Sequence, residues 1–183
     1  TEVLPRYHLK EFFRPGQVDA AGNFNNIAIG SNYRRPRLRL PGSGGIADVT
    51  PVTTLAYLYV PRHSRAVFVE ELDFLSGLGH SPERTRGSGP RYLITNLGQF
   101  DFAHGQLRLT SLHPGVELEK VRTKTGFEVQ LAPGLTETEP PTFEQLRLLR
   151  TKIDPLGVRR LELLSGSPRK ALLREILAQE RAH

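Results

Sequence analysis

The chain has 183 residues, 38% of them hydrophobic and 24% charged, which is enough for one domain with its own core. It contains no cysteine, which excludes a disulfide framework, a thiolate nucleophile and a metal site built on cysteine. No apolar run approaches the roughly 20 residues of a membrane helix. We therefore expect an untargeted cytoplasmic protein with no membrane partner.

The net charge is +6 and the isoelectric point is about 10.0. Apart from the run Arg34–Arg39, the basic residues are scattered, and neither an aromatic platform nor zinc-ligand spacing accompanies them. We expect a solvated basic surface rather than a nucleic-acid site. The six histidines also lack metal-ligand spacing, so the sequence predicts no metal site.

In chain order, the first predicted element is a short strand within residues 7–18, broken at Pro15-Gly16. Residues 17–26 follow and are dense in carboxamide side chains, which favour turns because they bond to nearby backbone. Apolar character resumes at Phe24–Ile29.

A glycine loop follows the arginine run, at Leu40–Asp48, with glycine at three of the four positions 42–45. Glycine has no Cβ and accepts positive φ, so backbone N–H groups in such a loop can approach an anionic or carbonyl oxygen. The composition also fits a plain turn. After the loop, Asp48–Pro51 predicts one helical turn beginning at Asp48.

The next two segments, Thr54–Val60 and Arg65–Leu72, are rich in β-branched and aromatic residues and predict two strands of one sheet. Glu70 and Glu71 end the second segment, so the pattern places one carboxylate on each face. Two interpretations stand: one carboxylate is partly buried with a raised pKa, or both lie past the strand in solvent, which we favour.

Residues 80–90 predict a polar surface loop, followed by strands at 91–97, 99–102 and 106–112. The last two strands form a predicted hairpin through Ala103–Gly105. A helix at Val116–Thr125 with Gly126 as its C-cap, then a strand at Phe127–Leu131, completes a βαβ step. This places His113 at the carboxyl end of a strand, where it either caps a backbone carbonyl or acts as a general base.

Two helices are predicted at the end of the chain. Thr142 and Gln145 have capping-box spacing at the start of the first, and Asp154-Pro155 ends it. Ser167-Pro168 opens the second. Each carries an apolar stripe, formed by Phe143, Leu146, Leu149 and Ile153 in the first and by Leu172, Leu173, Ile176 and Leu177 in the second.

From about Glu11 to Gly157, the chain contains a series of motifs that resembles the β subunit of family I coenzyme A transferases, and the motifs follow one another in the order found in that family. The nearest branch is the glutaconate CoA-transferase type, with its relatives the steroid-ring CoA hydrolases. The motifs are Gln17-Val18-Asp19-x-x-Gly22-Asn23-x-Asn25, Gly42-x-Gly44-Gly45, Val67-Phe68-Val69-Glu70-x-x-Asp73-Phe74, Thr95-Asn96-Leu97-Gly98, Ser111-Leu112-His113-Pro114-Gly115, Thr125-Gly126-Phe127 and Ile153-Asp154-Pro155-Leu156-Gly157.

The resemblance implies an α/β fold of the CoA-transferase-like (NagB/RpiA/CoA transferase) type, with a mostly parallel central sheet flanked by helices. Residues 1–183 would form a single domain of this kind. It also implies an acyl-CoA substrate and an α-type partner subunit, in a heterodimer or an α2β2 assembly, with the active site at their junction.

In such enzymes a glutamate attacks the acyl-CoA thioester, and the reaction passes through an anhydride to a glutamyl-CoA thioester, helped by backbone donors at the developing oxyanion. The resemblance assigns no catalytic residue here, because the Ser-Glu-Asn-Gly type motif is absent from the sequence. It implies a substrate- and CoA-binding set that consists of Gly42, Ser43, Gly44 and Gly45 as a backbone wall near the thioester, with Gln17, Asn23 and Asn25 organising the neighbouring turns.

The nucleophile segment of these subunits lies N-terminal to the motif that begins at Gln17, so we expect the chain to lack the usual N-terminal segment. Three explanations stay open: a fragment of a longer subunit, a short subunit whose partner supplies the carboxylate, or a degenerate scaffolding paralogue. In the last case Arg34–Arg39 would bind polyanions. The leading interpretation of function is a β-type subunit of an acyl-CoA transferase that acts on a CoA thioester, and the alternative is the β subunit of a ring-cleaving CoA-thioester hydrolase.

Overall fold

A computed structural model describes residues 10–82 and 84–181 of the chain. These residues divide into two compact units, one ending at Thr138 and the other beginning at Glu139. The first unit contains all the strands found in the described residues, and the second is helical.

The secondary structure of the described residues consists of ten strands and four α-helices. The strands are β1 (Lys10–Phe13), β2 (Gln17–Val18), β3 (Phe24–Asn25), β4 (Ala28–Ile29), β5 (Leu38–Arg39), β6 (Leu55–Val60), β7 (Pro90–Thr95), β8 (Gly98–Ala103), β9 (Gln106–Leu112) and β10 (Gln130–Glu137). The helices are α1 (Ile46–Val49), α2 (Leu118–Lys124), α3 (Phe143–Leu148) and α4 (Gly166–Arg181).

The first unit is built on a six-stranded sheet with the strand order β1-β6-β7-β8-β9-β10. Parallel pairing joins β1 to β6, β6 to β7 and β9 to β10, whereas β8 runs antiparallel to both of its neighbours. Two short antiparallel ladders, β2 with β3 and β4 with β5, stand apart from it. The α/β fold predicted from the sequence, with a mostly parallel sheet, is confirmed.

Alternation along the strands gives the sheet one core face. On β6, Ala56, Leu58 and Val60 are buried, and Tyr57 and Tyr59 between them point to the opposite, more exposed face. The buried side chains join a core that also contains Phe68, Phe100 and Val121 of α2. On the other face Phe12, Tyr57 and Tyr92 stack in a row across three parallel strands.

The predicted hairpin and βαβ step are both present. β8 and β9 pair up to Ala103 and Gln106, leaving His104 (φ 52°) and Gly105 (φ 76°) as a two-residue turn of the kind that suits hairpin twist. β9, α2 and the parallel strand β10 form the crossover. His113 directly follows β9, as predicted.

The prediction of a strand at Arg65–Leu72 is wrong. The N–H groups of Val67 and Phe68 both donate to the Ser64 carbonyl, which makes a turn, and Phe68 contributes only an isolated bridge to Val18. The segment is apolar because Phe68 is fully buried in the core, not because it pairs along its length. Glu70 and Glu71 are both exposed, as the favoured interpretation held.

Several boundaries differ from the predictions, most of them by one or two residues. The helical turn after the glycine loop begins at Ile46 rather than Asp48, and β10 begins at Gln130 rather than Phe127. The C-cap of α2 is Thr125. Gly126 instead approaches the core segment: its N–H donates to the Phe68 carbonyl, and a Cβ there would lie 2.4 Å from that oxygen.

The second unit opens with the predicted capping box, in which Thr142 accepts from the Gln145 N–H and the Gln145 side chain accepts from the Thr142 N–H. α3 continues into a π-helical turn at Leu149–Ile153, and a 3-10 helix at Val158–Glu162 precedes α4. The two ends of the first predicted apolar stripe, Phe143 and Ile153, are exposed, whereas Leu146 and Leu149 between them are half-buried. Among the described residues, no helix combines the length and apolar character needed to cross a bilayer.

His63 is the one buried histidine of the core region that the structure describes, and its ring stacks on Phe68 with 3.7 Å between ring centroids. Thr125 Oγ1 donates to the Val121 carbonyl, so at 3.0 Å it accepts from His63 Nε2. His63 Nδ1 lies 3.3 Å from Thr95 Oγ1. These contacts suit a neutral imidazole. Burial, and secondarily the positive charge of Lys124, lower the pKa of His63 to about 4.

We expect the free energy of unfolding to decrease as the pH falls from 6.5 towards 4. In that window the unfolded chain binds a proton at His63 and the folded chain does not, which costs roughly 2 kcal/mol between pH 7.5 and pH 5. Urea unfolding at both pH values measures the loss. His63→Gln, which does not titrate, should flatten this dependence, whereas the exposed control His104→Asn should keep it. An equal slope in wild type and His63→Gln would contradict the assignment.

Candidate functional site

A cleft of about 810 Å³ lies at the carboxyl ends of the adjacent parallel strands β1 and β6. Phe12, Phe13 and Arg14 enter its lining from β1, and Val60, Pro61 and Arg62 enter it from the end of β6. The carboxyl ends of parallel strands are where open α/β sheets bind ligands, because the connecting segments diverge there and leave a crevice. The remaining lining residues are Pro15, Gly16, Asn26, Leu40, Pro41, Gly42, Ile46, Ser64 and Val67.

The glycine loop forms one wall of this cleft through Leu40, Pro41 and Gly42, followed by Ile46 of α1. The Gly42 N–H donates to the Asn26 carbonyl at 2.9 Å, which fixes the loop against the opposite turn. Gly42 has φ +111°, and a Cβ there would meet no atom within 4 Å. Glycine is therefore required at this position for its backbone conformation rather than for lack of space.

The other predicted residues of the loop, Ser43, Gly44 and Gly45, follow the wall but are not in the lining. Their backbone N–H groups donate no hydrogen bond within the described part of the chain. The Ser43 carbonyl accepts from the Ile46 N–H at 2.8 Å, so the loop ends in the first turn of α1. The arrangement leaves backbone donors available beside the cleft.

Gln17 and Asn25 lie beneath the cleft, in a buried carboxamide network. Asn25 Nδ2 donates to Gln17 Oε1 at 2.7 Å and to the Ala28 carbonyl at 2.6 Å. Gln17 Nε2 donates to Asp73 Oδ2 at 2.9 Å. Neither side chain is in the cleft lining, but their neighbours Gly16 and Asn26 are. Their side chains thus bond segments that adjoin the cleft, and both their role in organising a substrate site and direct substrate contact stay predictions.

Asn23 orders a second turn nearby. Its Oδ1 accepts from the Gly79 N–H at 2.8 Å and its Nδ2 donates to Asp19 Oδ2 at 2.9 Å. Asp19 Oδ1 in turn accepts from the N–H groups of Ala21 and Asn23. Burial raises the pKa of the Asp19 carboxyl, against the opposing effect of these hydrogen bonds. Asn23 is not in the cleft lining either.

Asn26 lines the cleft and was missed in the sequence analysis. Its Oδ1 accepts from the Gly16 N–H at 2.8 Å, and its own N–H donates to Ser76 Oγ at 2.9 Å. Since Oδ1 is engaged, Nδ2 is the free end of the amide, and it donates to no described residue. The side chain thus presents a fixed donor at the cleft. The sequence signal for Asn26 was its position in the segment 17–26, which contains four asparagine and glutamine residues. Asn26 nevertheless belongs to none of the motifs that carry the family resemblance.

Positive charge reaches the lining through Arg14 and Arg62, whereas the lining contains no aspartate, glutamate or histidine. Among the described residues no group of three or more acidic or histidine side chains is placed to hold a metal ion. The cleft therefore offers apolar surface, hydrogen-bond donors and cations. Its lining does not offer a nucleophile or a general base.

His113 lies apart from the cleft lining. Its Nε2 donates to the Thr95 carbonyl at 2.9 Å, its Nδ1 lies 3.0 Å from Thr138 Oγ1, and its backbone N–H donates to the Leu97 carbonyl. With both ring nitrogens engaged, the histidine ties the ends of β7, β9 and β10 together. The interpretation of His113 as the cap of a backbone carbonyl agrees with these contacts.

No protein-family model matches the chain, but individual proteins do. It is 36% identical over 156 residues to the cholesterol ring-cleaving hydrolase IpdB subunit of Mycobacterium tuberculosis, covering 81% of this chain and 62% of the relative. It is 34% identical over 148 residues to the B subunit of 3-oxoadipate CoA-transferase from Pseudomonas knackmussii, covering 76% of this chain and 56% of the relative. The chain thus spans about three fifths of the length of these relatives.

Solved structures give the same result. Rhodococcus jostii IpdAB has a TM-score of 0.74 and 30% identity, covering 87% of this chain and 66% of the IpdAB chain. Glutaconate coenzyme A-transferase of Acidaminococcus fermentans has a TM-score of 0.70 and 26% identity, covering 79% of this chain and 58% of that chain. Sequence and fold agree with the order of motifs, and the chain belongs to the family I coenzyme A transferases, among their β subunits.

Proposed function

We propose that this chain is the β-type subunit of an acyl-CoA transferase and that it binds the thioester end of an acyl-CoA in the cleft described above. The observation that carries the proposal is the position of the glycine loop, which forms a wall of a cleft at the carboxyl ends of two parallel strands. Members of this family use CoA thioesters as substrates.

The lining supports such a substrate chemically. Phe12, Phe13 and Val60 provide apolar surface for the aliphatic parts of the pantetheine arm and the acyl group.

Donors beside the cleft support a role at the thioester carbonyl. As a nucleophile attacks, negative charge develops on the carbonyl oxygen, and donors already in position stabilise it without reorganisation. Asn26 Nδ2 and the N–H groups of Gly44 and Gly45 are the proposed donors. Because they are fixed by the turns around them, little entropy is lost when the charge develops.

The attacking group is proposed to come from outside this lining, since the lining contains no carboxylate. We propose that it comes from an α-type partner subunit, in a heterodimer or an α2β2 assembly, or from chain N-terminal to Gln17. Without that group the cleft alone would bind a thioester but would not turn it over.

Hydrolysis of a CoA thioester is the second candidate. The similarity to IpdB subunits, which are named as cholesterol ring-cleaving hydrolases, supports hydrolysis as the class of reaction, and the thioester as the bond that is cleaved is part of the proposal. In transfer, the acceptor acid takes over CoA as a new thioester and the original acyl group leaves as its carboxylate. In hydrolysis, water takes the acyl group and free CoA is released. The same cleft and the same donors serve both reactions, so the acceptor decides between them.

We expect the chain to form a stable complex with the α-type protein encoded beside it, and the complex to act on acyl-CoA thioesters. A panel of thioesters, assayed with and without 3-oxoadipate as acceptor, separates the reactions: transfer needs the acid, and hydrolysis releases the CoA thiol without it. Each subunit alone is the control. Absence of a complex together with no turnover above background would refute the proposal, and a complex without turnover would favour a scaffolding role.

We expect Asn26→Asp to reduce kcat/KM of the complex by about 100-fold, because it replaces a donor at the oxyanion by an acceptor while keeping the bond from Gly16 N–H. Asn96→Asp is the matched control: Asn96 also accepts a backbone N–H through Oδ1, from His63 at 2.8 Å, and is outside the cleft. Equal activity of the two variants, with both folded by circular dichroism, would show that Asn26 is not a donor in the reaction.

Gly42→Ala should lower both stability and turnover. At φ +111° an alanine is strained by roughly 1–3 kcal/mol, and relief of that strain would move the cleft wall. Gly134→Ala is the control, since Gly134 also has positive φ (+73°) and open space around it but lies in β10. Thermal unfolding should show a loss in both variants, and turnover should fall beyond the control only in Gly42→Ala.

A further inference from the structure

The run Arg34–Arg39 belongs to a small hairpin that leads directly into the cleft wall. β4 and β5 pair antiparallel, with Ala28 opposite Arg39 and Ile29 opposite Leu38, and residues 30–37 form the loop between them. We call residues 28–39 the arginine hairpin. The chain leaves it at Leu40, Pro41 and Gly42, which line the cleft.

The loop is held in one conformation by polar contacts at its start. The Gly30 N–H donates to Asp73 Oδ2 at 3.1 Å, which ties the loop to the buried carboxamide network. Asn32 Oδ1 accepts from the N–H groups of Arg34 and Arg35 at 3.0 and 3.3 Å. These bonds use the backbone of the two arginines, so their guanidinium groups stay available for a ligand.

Arg39 is ordered by the aromatic residue of the loop. Its Nη2 donates to the Tyr33 carbonyl at 2.9 Å, and its guanidinium carbon lies 4.7 Å from the centroid of the Tyr33 ring. Tyr33 in turn stacks on Phe74, with 5.3 Å between the ring centroids. The single aromatic side chain of the loop is thus used to position an arginine.

Arg34, Arg35 and Arg37 are exposed and form no ion pair within the part of the chain that the structure describes. Three guanidinium groups with no carboxylate partner among the described residues, on a loop whose backbone is held by hydrogen bonds at its start, suit an anion with several phosphoryl oxygens. These hydrogen bonds reduce the conformational entropy that the loop loses on binding.

The distance between this loop and the cleft suits a ligand whose phosphate groups are joined to its reactive end by a long flexible chain. Arg37 and Gly42 are five residues apart, so their Cα atoms are separated by at most roughly 18 Å. Coenzyme A has this form: a 3′-phosphorylated adenosine diphosphate at one end, a flexible pantetheine arm, and the thioester at the other end. One molecule can therefore place its thioester in the cleft and its phosphates at the hairpin.

We propose that the arginine hairpin binds the 3′-phosphate and diphosphate of coenzyme A, with Arg34, Arg35 and Arg37 as the phosphate ligands. The proposal rests on the proposed function, since it takes the thioester end of the same molecule to lie in the cleft. Nucleic acid fits less well, because binding of single strands relies on aromatic platforms for the bases, and Tyr33 is occupied by Arg39 and Phe74.

Calorimetric titration of the complex of this chain with its α-type partner, using coenzyme A, 3′-dephospho-coenzyme A and S-acetyl pantetheine, tests the proposal. We expect the triple variant Arg34→Gln, Arg35→Gln, Arg37→Gln to weaken coenzyme A binding by about 30-fold. The loss should be smaller for the dephospho form and absent for S-acetyl pantetheine, which has no phosphate. The affinity of wild type for coenzyme A should also fall as salt is raised.

The matched control removes the same charge from exposed arginines of the second unit, with Arg150→Gln, Arg174→Gln and Arg181→Gln combined. If both triple variants bind coenzyme A alike, or if the dephospho form binds wild type as tightly as coenzyme A, the hairpin is not the phosphate site, while the proposed function stands. If neither coenzyme A nor S-acetyl pantetheine binds wild type, both proposals fail. A single-stranded oligonucleotide that displaces coenzyme A at equimolar concentration would assign the hairpin to nucleic acid instead.

Discussion

The completely buried side chain of Asn25 is the constraint on which the candidate site depends. An amide in the interior is tolerated only when its donors and acceptors are satisfied, and here both Nδ2 donors and the Oδ1 acceptor are used. Through Gln17 the network reaches Asp73, and through Asp73 it reaches the first residue of the arginine loop, Gly30. Loss of Asn25, of Gln17 or of the Asp73 carboxylate that accepts from Gln17 Nε2 leaves a buried amide group unpaired, whereas the bond from Gly30 to Asp73 lies at the surface.

This network explains why groups from distant parts of the sequence form one rigid surface. Gly16 and Asn26, each next to a member of the network, form the floor of the cleft, and the Asn26 carbonyl holds the glycine loop through the Gly42 N–H. The same carboxylate of Asp73 anchors the arginine hairpin. Wall, floor and hairpin therefore share one scaffold, and donors on it keep their positions without a bound ligand.

Whether a feature of the fold or of the site could be predicted from the sequence depended on how far apart the interacting residues lie in the chain. The predictions of the β8–β9 turn and of the Thr142–Gln145 cap are correct because a few adjacent residues determine each feature. The segment around Phe68 was misread as a strand, since burial by distant partners and pairing along a strand produce the same apolar pattern. The composition of the glycine loop was enough to predict it as a candidate site. Asn26, Arg14 and Arg62 are far apart in the sequence, and only the folded arrangement of the strand ends brings them into one cleft.

The chemistry of the lining also bears on how one scaffold serves more than one reaction. Relatives that share this fold are named as a transferase subunit and as a hydrolase subunit. A cleft that supplies shape, donors and positive charge but no acid or base can stabilise the oxyanion of any thioester addition, whatever attacks it. On the proposed function, the reaction would be decided by the groups brought into the cleft from elsewhere, because the lining itself supplies no acid or base.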